Sequence, residues 1–320
     1  MVSSVTLGPL IRLWGLKVTE LPQPSSPPDE LQPFVISVLE EAINFLDSVP
    51  TSRSSAPTIA KNGQSTLCSS SRTLWKFKDS YPYSGGNTPL ISFQRTVTPK
   101  QLRGVADKHN VVQEGSRDFR TEFWVCRQSE HEDAARKGTA SWDEFARCFR
   151  DENAEAEKAL TPKVVDREIG VQWNCEGIVT NIEEKTWGNI TLKLKESRHR
   201  FGFLFKDRAF AVLQMTATMV GAQEFIIVSI AVNETRDSPL CRISKSPSVV
   251  NGAYSSVERI RKLPQGTIEW TVATASDARG ILPRWAQRRL VPPKIRQNVP
   301  LFLTWLATQR TRDIQGTTSL

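Results

Sequence analysis

Seven segments in the second half of this 320-residue chain carry the patterns of β-strands and follow one another with short connections. Each is a two-residue alternation of apolar and polar side chains or a short apolar run bounded by turn residues. They cover residues 123–130, 171–176, 186–196, 208–216, 224–232, 253–260 and 267–275. Short connections favour antiparallel pairing, because a parallel pair needs a crossover of a dozen or more residues. The sequence therefore predicts an antiparallel sheet of about seven strands.

One segment also predicts how this sheet is covered. Ile190, Leu192 and Leu194 are separated by single polar residues, two of which are lysines. Such alternation places the apolar side chains on one face of a strand and the polar side chains on the other. We therefore expect helices to cover one face of the sheet only.

The end of the chain predicts the covering element. After the last predicted strand, Asp277 and Gly280 are turn residues, and Pro283 suits the first turn of a helix. An apolar stripe then follows at helical spacing, interrupted by Pro300, which we expect to kink or restart the helix. The stripe consists of Ile295, Val299, Phe302, Leu303 and Leu306. A long C-terminal helix should fold back across the sheet.

The rest of the chain predicts helices and a linker. An apolar stripe favours an amphipathic helix over residues 32–47, and Thr98 with Pro99 starts a short helix that ends near His109. Ser141 and Glu144 form a capping box for a helix that should end near residue 161. We divide the chain into an N-terminal segment (1–50), a Ser-rich disordered loop (51–72), a main domain (73–310) and a flexible tail (311–320).

Composition excludes several classes of protein. The five cysteines are far apart without a Cys-x-x-Cys pair, and Arg12 and Lys17 interrupt the apolar N-terminus, which argues against a secretory signal. We therefore expect a cytoplasmic protein. The three histidines lack metal-ligand spacing, and we find no phosphate loop, Rossmann fingerprint or Gly-x-Ser-x-Gly motif. We expect no metal and no cofactor, and catalysis is not favoured.

Positive charge is concentrated near the C-terminus. Between Asp277 and Asp313 the chain has no acidic residue. Anionic bilayers attract such clusters by about 1 kcal/mol per basic residue, so we expect transient membrane contact, with a solvated helix face as the alternative. Nucleic acid is a weaker alternative, because no aromatic and basic stacking motif accompanies the charge. The candidate membrane-contact residues are Arg284, Arg288, Arg289 and Lys294.

Four separated motifs carry a resemblance to a known family. WVCRQSEHED (124–133), GTASWDEF (138–145), YSSVERI (254–260) and WTVATASDARGILPRW (270–285) resemble a fungal START-like family of unassigned function. The resemblance covers residues 119–310 and implies an α+β helix-grip fold, in which a curved antiparallel sheet holds the C-terminal helix. It also implies a cavity between the sheet and that helix.

The implied cavity has apolar and polar candidate residues. The candidate lining residues, for which ordinary core packing is the alternative, are Trp173, Leu192, Leu194, Trp270, Val272 and Trp285. By strand parity Glu196 should point inward, and one of the neighbours Glu258 and Arg259 must do so. A buried charge needs a partner, so Glu196 with Arg127 or Arg259 would clamp a ligand headgroup. The alternative is a salt bridge at the rim of the sheet.

These patterns lead to one main hypothesis and two alternatives. The main hypothesis is a monomer that binds, and possibly transfers, a lipid or another apolar small molecule in this cavity, with the C-terminal helix as a gate. The first alternative is an enzyme of the same fold class, such as a polyketide-type cyclase that uses Glu196, Arg127 or His131 as acid–base groups. The second is an interaction module with a filled core.

Overall fold

The computed structural model describes residues 7–50, 74–83, 88–111, 119–152, 154–202, 205–280 and 284–317. Within these ranges the side chains of residues 284–291, 294 and 313–317 are not described. The Ser-rich loop predicted for residues 51–72 therefore lies outside the described residues. So do the side chains of Trp285 and of the four candidate membrane-contact residues.

In the described part of the chain the sheet has twelve strands, which corrects the expected number of about seven. They are β1 (Leu16–Lys17), β2 (Lys76–Tyr81), β3 (Leu90–Val97), β4 (Glu122–His131), β5 (Val164–Trp173), β6 (Thr180–Ile182), β7 (Lys185–His199), β8 (Asp207–Met219), β9 (Glu224–Asn233), β10 (Val249–Asn251), β11 (Ala253–Lys262) and β12 (Ile268–Asp277). Three of the unpredicted strands, β1, β6 and β10, have only two or three residues, too few to show an alternation. Strand β5 starts earlier than predicted, because two irregularities in its pairing with β7 interrupt the pattern.

Nine strands form a continuous antiparallel path in the order β2-β3-β4-β12-β11-β9-β8-β7-β5. The antiparallel pairing is as predicted. Strands β1 and β10 add parallel pairs to β9 and β8, and β6 pairs with β7.

The helices are α1 (Pro28–Asp47), α2 (Pro99–Lys108), α3 (Trp142–Phe145), α4 (Ala154–Leu160) and α5 (Arg284–Thr317). The predicted capping boxes of α2 and α3 are both formed. The helix expected from Ser141 to residue 161 is interrupted, because α3 continues as a π-turn (Ala146–Arg150) and Glu152 then adopts a left-handed conformation with φ of 54°. Helix α5 continues through three prolines, including Pro300, and includes residues 311–317 of the predicted tail.

Helices cover both faces of the sheet, so the prediction of a single covered face is wrong. On one face α1 packs in an apolar cluster with residues such as Val228, Val257 and Ala273. On the other face α5 and α3 pack against Phe225, Ile260 and Trp270 in a separate cluster. Every residue of β9 is buried, as a strand covered from both sides requires. The alternation in β7 misled the prediction because β7 lies near the edge of the sheet, where Lys193 and Lys195 remain partly exposed.

The N-terminal segment is tied to the sheet by a buried ionic cluster. The Arg12 side chain is fully buried, and its Nη1 lies 2.9 Å from Oε2 of Glu122 and its Nη2 4.0 Å from Oε1 of Glu41. Glu41 also accepts hydrogen bonds from the backbone N–H groups of Leu10 and Ile11, each 2.8 Å long. These charged contacts fix the path of the segment that leads into β1.

Candidate functional site

Strand register divides the predicted lining residues between the two faces. Trp270 and Val272 lie on the face toward α5. Leu192, Leu194 and Trp173 lie on the face toward α1, where Leu192 pairs with Trp173 across β7 and β5. These residues therefore cannot line one tunnel between the sheet and α5.

Trp173 lines a small pocket at the edge of the sheet instead. The pocket has a volume of about 390 Å³, and its other lining residues are Gln172, Asn174, Cys175, Ile190 and Thr191. Nε1 of Trp173 donates a 3.0 Å hydrogen bond to the carbonyl oxygen of Gln23. The indole is thus held by the segment before α1 and packs mainly as a core residue.

Glu196 is buried as predicted, but it forms no clamp with Arg127 or Arg259. Its carboxylate accepts backbone hydrogen bonds from Ile243 and Ser244, each 2.9 Å, and from Arg242 at 2.5 Å. It therefore holds the loop before β10. Arg127 lies on the opposite face of the sheet, so no rearrangement of side chains brings the two charges together.

Arg259 is also a structural residue in this fold. Its Nη1 lies 2.7 Å from Oδ1 of Asp47, at the C-terminal end of α1. This ion pair ties α1 to β11 on the face away from α5. Of the neighbours Glu258 and Arg259, the glutamate therefore faces α5.

Arg127 is the most unusual charge on the face toward α5. Its side chain is almost fully buried, and its guanidinium carbon lies 4.0 Å from the ring centre of Trp270, a cation–π contact. Nη1 donates a 2.7 Å hydrogen bond to Oγ of Ser129, whereas Nε and Nη2 have no partner among the described residues. Burial lowers the pKa of Arg127 to about 10, so the group remains charged at neutral pH.

Glu258 lies two strands away from Arg127 on the same face. The register places Val272 between them, paired with Arg127 on one side and with Glu258 on the other. Nε1 of Trp270 donates a short hydrogen bond to the Glu258 carboxylate. Burial raises the pKa of Glu258, opposed by this hydrogen bond and by the charge of Arg127. The Glu258 side chain remains partly exposed.

A chain of polar contacts orients Arg127 from the other side. Nε2 of His131 lies 2.9 Å from Oγ of Ser129, and Nδ1 of His131 lies 3.3 Å from Oη of Tyr83. Burial and the charge of Arg127 lower the pKa of His131 to about 3. The imidazole is therefore neutral near pH 7 and poorly suited to act as a general base there. It positions Ser129 beside Arg127.

An aromatic cluster closes the same face next to these polar groups. Phe302 of α5 packs against Phe145, Phe149 and Trp270, with ring centres 4.9 to 5.7 Å apart. Val299 and Leu306 of α5 are fully buried in the same cluster. The face toward α5 therefore carries an aromatic cluster beside charged and hydrogen-bonding groups.

Sequence reasoning identified part of this arrangement. Ser129 and His131 lie two residues apart, a spacing that places both on one face of a strand, and Arg127 lies in the same predicted strand. Tyr83 gave no signal, because it lies just after β2 and far from His131 in the sequence. In the described part of the chain, no group of three or more His, Cys, Asp or Glu side chains could hold a metal ion. No described helix is long and apolar enough to cross a membrane.

Comparisons with known proteins give a family and distant structural neighbours. Human StAR-related lipid transfer protein 5 is 13% identical, with a TM-score of 0.46 over 75% of this chain and 89% of that protein. Human STARD10 is 14% identical, with a TM-score of 0.45 over 75% of this chain and 78% of that protein. No curated protein matches the sequence. The family described as "Protein of unknown function (DUF3074)" matches residues 124–306, and the chain belongs to that family.

Proposed function

We propose that this protein binds an amphiphilic small molecule, such as a lipid, between α5 and the sheet. The observation that carries the proposal is the buried guanidinium of Arg127, which has two nitrogen atoms without a partner among the described residues. Buried polar groups are nearly always hydrogen-bonded, and an unpartnered one costs about 1–3 kcal/mol or more when charged. An acceptor oxygen of a ligand would remove this cost.

The surroundings of Arg127 agree with an amphiphile. Trp270 and Ser129 fix the guanidinium in place, so little side-chain entropy is lost when a ligand binds. The aromatic cluster around Phe302 lies on the same face and offers an apolar surface to a hydrocarbon chain. A START-like helix-grip fold, in which α5 is the gate for entry and transfer, is the interpretation that fits this arrangement.

Arg127 and Arg259 are buried on opposite faces of the sheet, so replacing each arginine in turn gives a matched comparison. We expect Arg127→Met to weaken binding of dansylamino-undecanoate by roughly 10- to 100-fold, because a hydrogen bond to a charged group contributes about 1.5–3 kcal/mol. Arg259→Met removes an arginine that is also buried but faces α1, and should leave binding unchanged. Fluorescence titration of purified wild-type and variant proteins gives both dissociation constants. Equal loss in both variants, or no loss with Arg127→Met, would contradict the proposal.

The cyclase alternative keeps Arg127 but loses its other acid–base residues. Glu196 faces away from α5, and His131 is neutral near pH 7. We therefore favour binding over catalysis. We further propose a cytoplasmic monomer, and four buried, unpaired cysteines are consistent with a reducing compartment.

We also propose that the basic start of α5 makes transient contact with anionic membranes. This part of the helix carries Arg284, Arg288, Arg289 and Lys294. Its support is the absence of acidic residues from the sequence between Asp277 and Asp313. Contact there would place a lipid surface beside the proposed gate.

A further inference from the structure

A row of hydrogen-bonding side chains crosses five neighbouring strands on the face toward α5. The register pairs Thr274 with Ser256, Ser256 with Ser229, Ser229 with Gln214, and Gln214 with Lys193. Directly paired residues share a face, so these five side chains form one polar row. Four interstrand steps of about 4.8 Å give the row a length of roughly 19 Å.

The polar row is adjacent to the Arg127 site. On β12, Thr274 follows Val272 by two residues, and on β11, Ser256 precedes Glu258 by two residues. Residues two apart on a strand share a face, so the row lies alongside the line from Arg127 to Glu258. The sheet therefore presents two neighbouring lines of polar groups toward α5.

The two ends of the row have partners within the protein. At one end, Oγ1 of Thr274 donates a 3.2 Å hydrogen bond to the backbone carbonyl oxygen of Ser255. At the other end, Nζ of Lys193 lies 2.9 Å from Oε2 of Glu152, and Nζ of Lys195 lies 2.9 Å from the same oxygen. Both ends of the row therefore have partners within the protein, and at the Lys193 end one carboxylate is shared by two ammonium groups.

The side chains in the middle of the row have no such partners. Among the described residues, the side chains of Ser229 and Gln214 form no hydrogen bond; Ser229 is buried and Gln214 is partly exposed. On β8, two residues from Gln214, Thr216 is 1% exposed and its hydroxyl is also unpartnered in the described part of the chain. Three neutral donors and acceptors are therefore available next to each other in the interior of the fold.

We infer that the polar part of the ligand is an extended, uncharged, hydroxyl-rich group, such as a sugar or polyol, which lies along the polar row. This inference rests on the proposed function and names the class of amphiphile. Hydroxyl and amide side chains both donate and accept hydrogen bonds, which matches the hydroxyls of a polyol. A row of roughly 19 Å is longer than a single hydroxyl or carboxylate can occupy.

The test compares ligands that share a dodecyl chain but differ in their polar group. Monomeric dodecyl maltoside and dodecanoate each compete with dansylamino-undecanoate for the wild-type protein. We expect dodecyl maltoside to compete at a concentration at least about tenfold lower. The double variant Ser229→Ala/Gln214→Met should lose most of this preference and bind dodecanoate as before.

A matched control removes a buried, unpartnered hydroxyl from the opposite face of the same sheet. Thr271 is 1% exposed on β12, and Thr271→Val should leave both competitors unaffected. Thermal melting of each variant verifies that it is folded. If the double variant does not fold, Gln214→Met alone replaces it in the test. Equal competition by the two ligands, or a preference that the variant retains, would overturn the polyol class while the proposed function stands. No binding of the dansyl probe to the wild-type protein would overturn both.

Discussion

His131 should make the protein less stable in mild acid. Its pKa is lowered from the ordinary value of 6.5 to about 3 in the folded protein, because the imidazole is buried and lies near Arg127. Between these values the unfolded chain holds a proton that the folded protein does not, so the free energy of unfolding falls as pH decreases. The slope is about 1.4 kcal/mol per pH unit. From pH 7 to pH 5 this residue alone should therefore remove about 2 kcal/mol.

Urea denaturation at several pH values between 5 and 7.5 measures this slope. His131→Phe keeps an aromatic ring of similar size but cannot titrate, so the difference in slope between the wild type and the variant isolates His131. The comparison also cancels Glu41 and Glu258, whose raised pKa values act in the opposite direction over part of this range. If His131→Phe keeps the wild-type slope, the imidazole is not buried in its neutral form and its role beside Ser129 is wrong.

Two further predictions concern the other charged parts of the molecule. Arg12→Met leaves Glu41 and Glu122 buried without their cation and should lower the free energy of unfolding, measured by urea denaturation, by about 3–5 kcal/mol. Arg242→Met breaks exposed ion pairs and should lower it by less than about 1 kcal/mol. Similar losses in the two variants would show that the Arg12 cluster is solvated. Arg288→Glu with Arg289→Glu should abolish co-sedimentation with phosphatidylserine vesicles, and the wild-type protein should lose the same binding as salt rises, because exposed charges are screened within about 8–10 Å. Binding that ignores salt and lipid charge would refute the membrane contact.

Local sequence patterns predicted many of the elements of this fold, but not all of them. Alternation predicted six of the nine strands on the main path close to their observed positions, and capping residues predicted the starts of α2 and α3. Both signals come from residues within a few positions of each other, and they reflect the geometry of the strand or helix itself. Strands β2 and β3 were not predicted, and other errors occurred where local geometry is irregular, as in β5 with its irregular pairing and at the π-turn after α3.

Only the tertiary structure decided which face each side chain occupies. Alternation showed that Glu196 and Arg127 each lie on one side of a strand, but either side was possible until α1 and α5 were placed on opposite faces. The candidate clamp failed for that reason. Likewise, Thr274, Ser256, Ser229, Gln214 and Lys193 are unrelated positions in the chain, and they become a row through strand order and register. A sequence records the periodicity of each strand, whereas the neighbours of a side chain across a sheet depend on pairings between strands that the chain's local pattern does not specify.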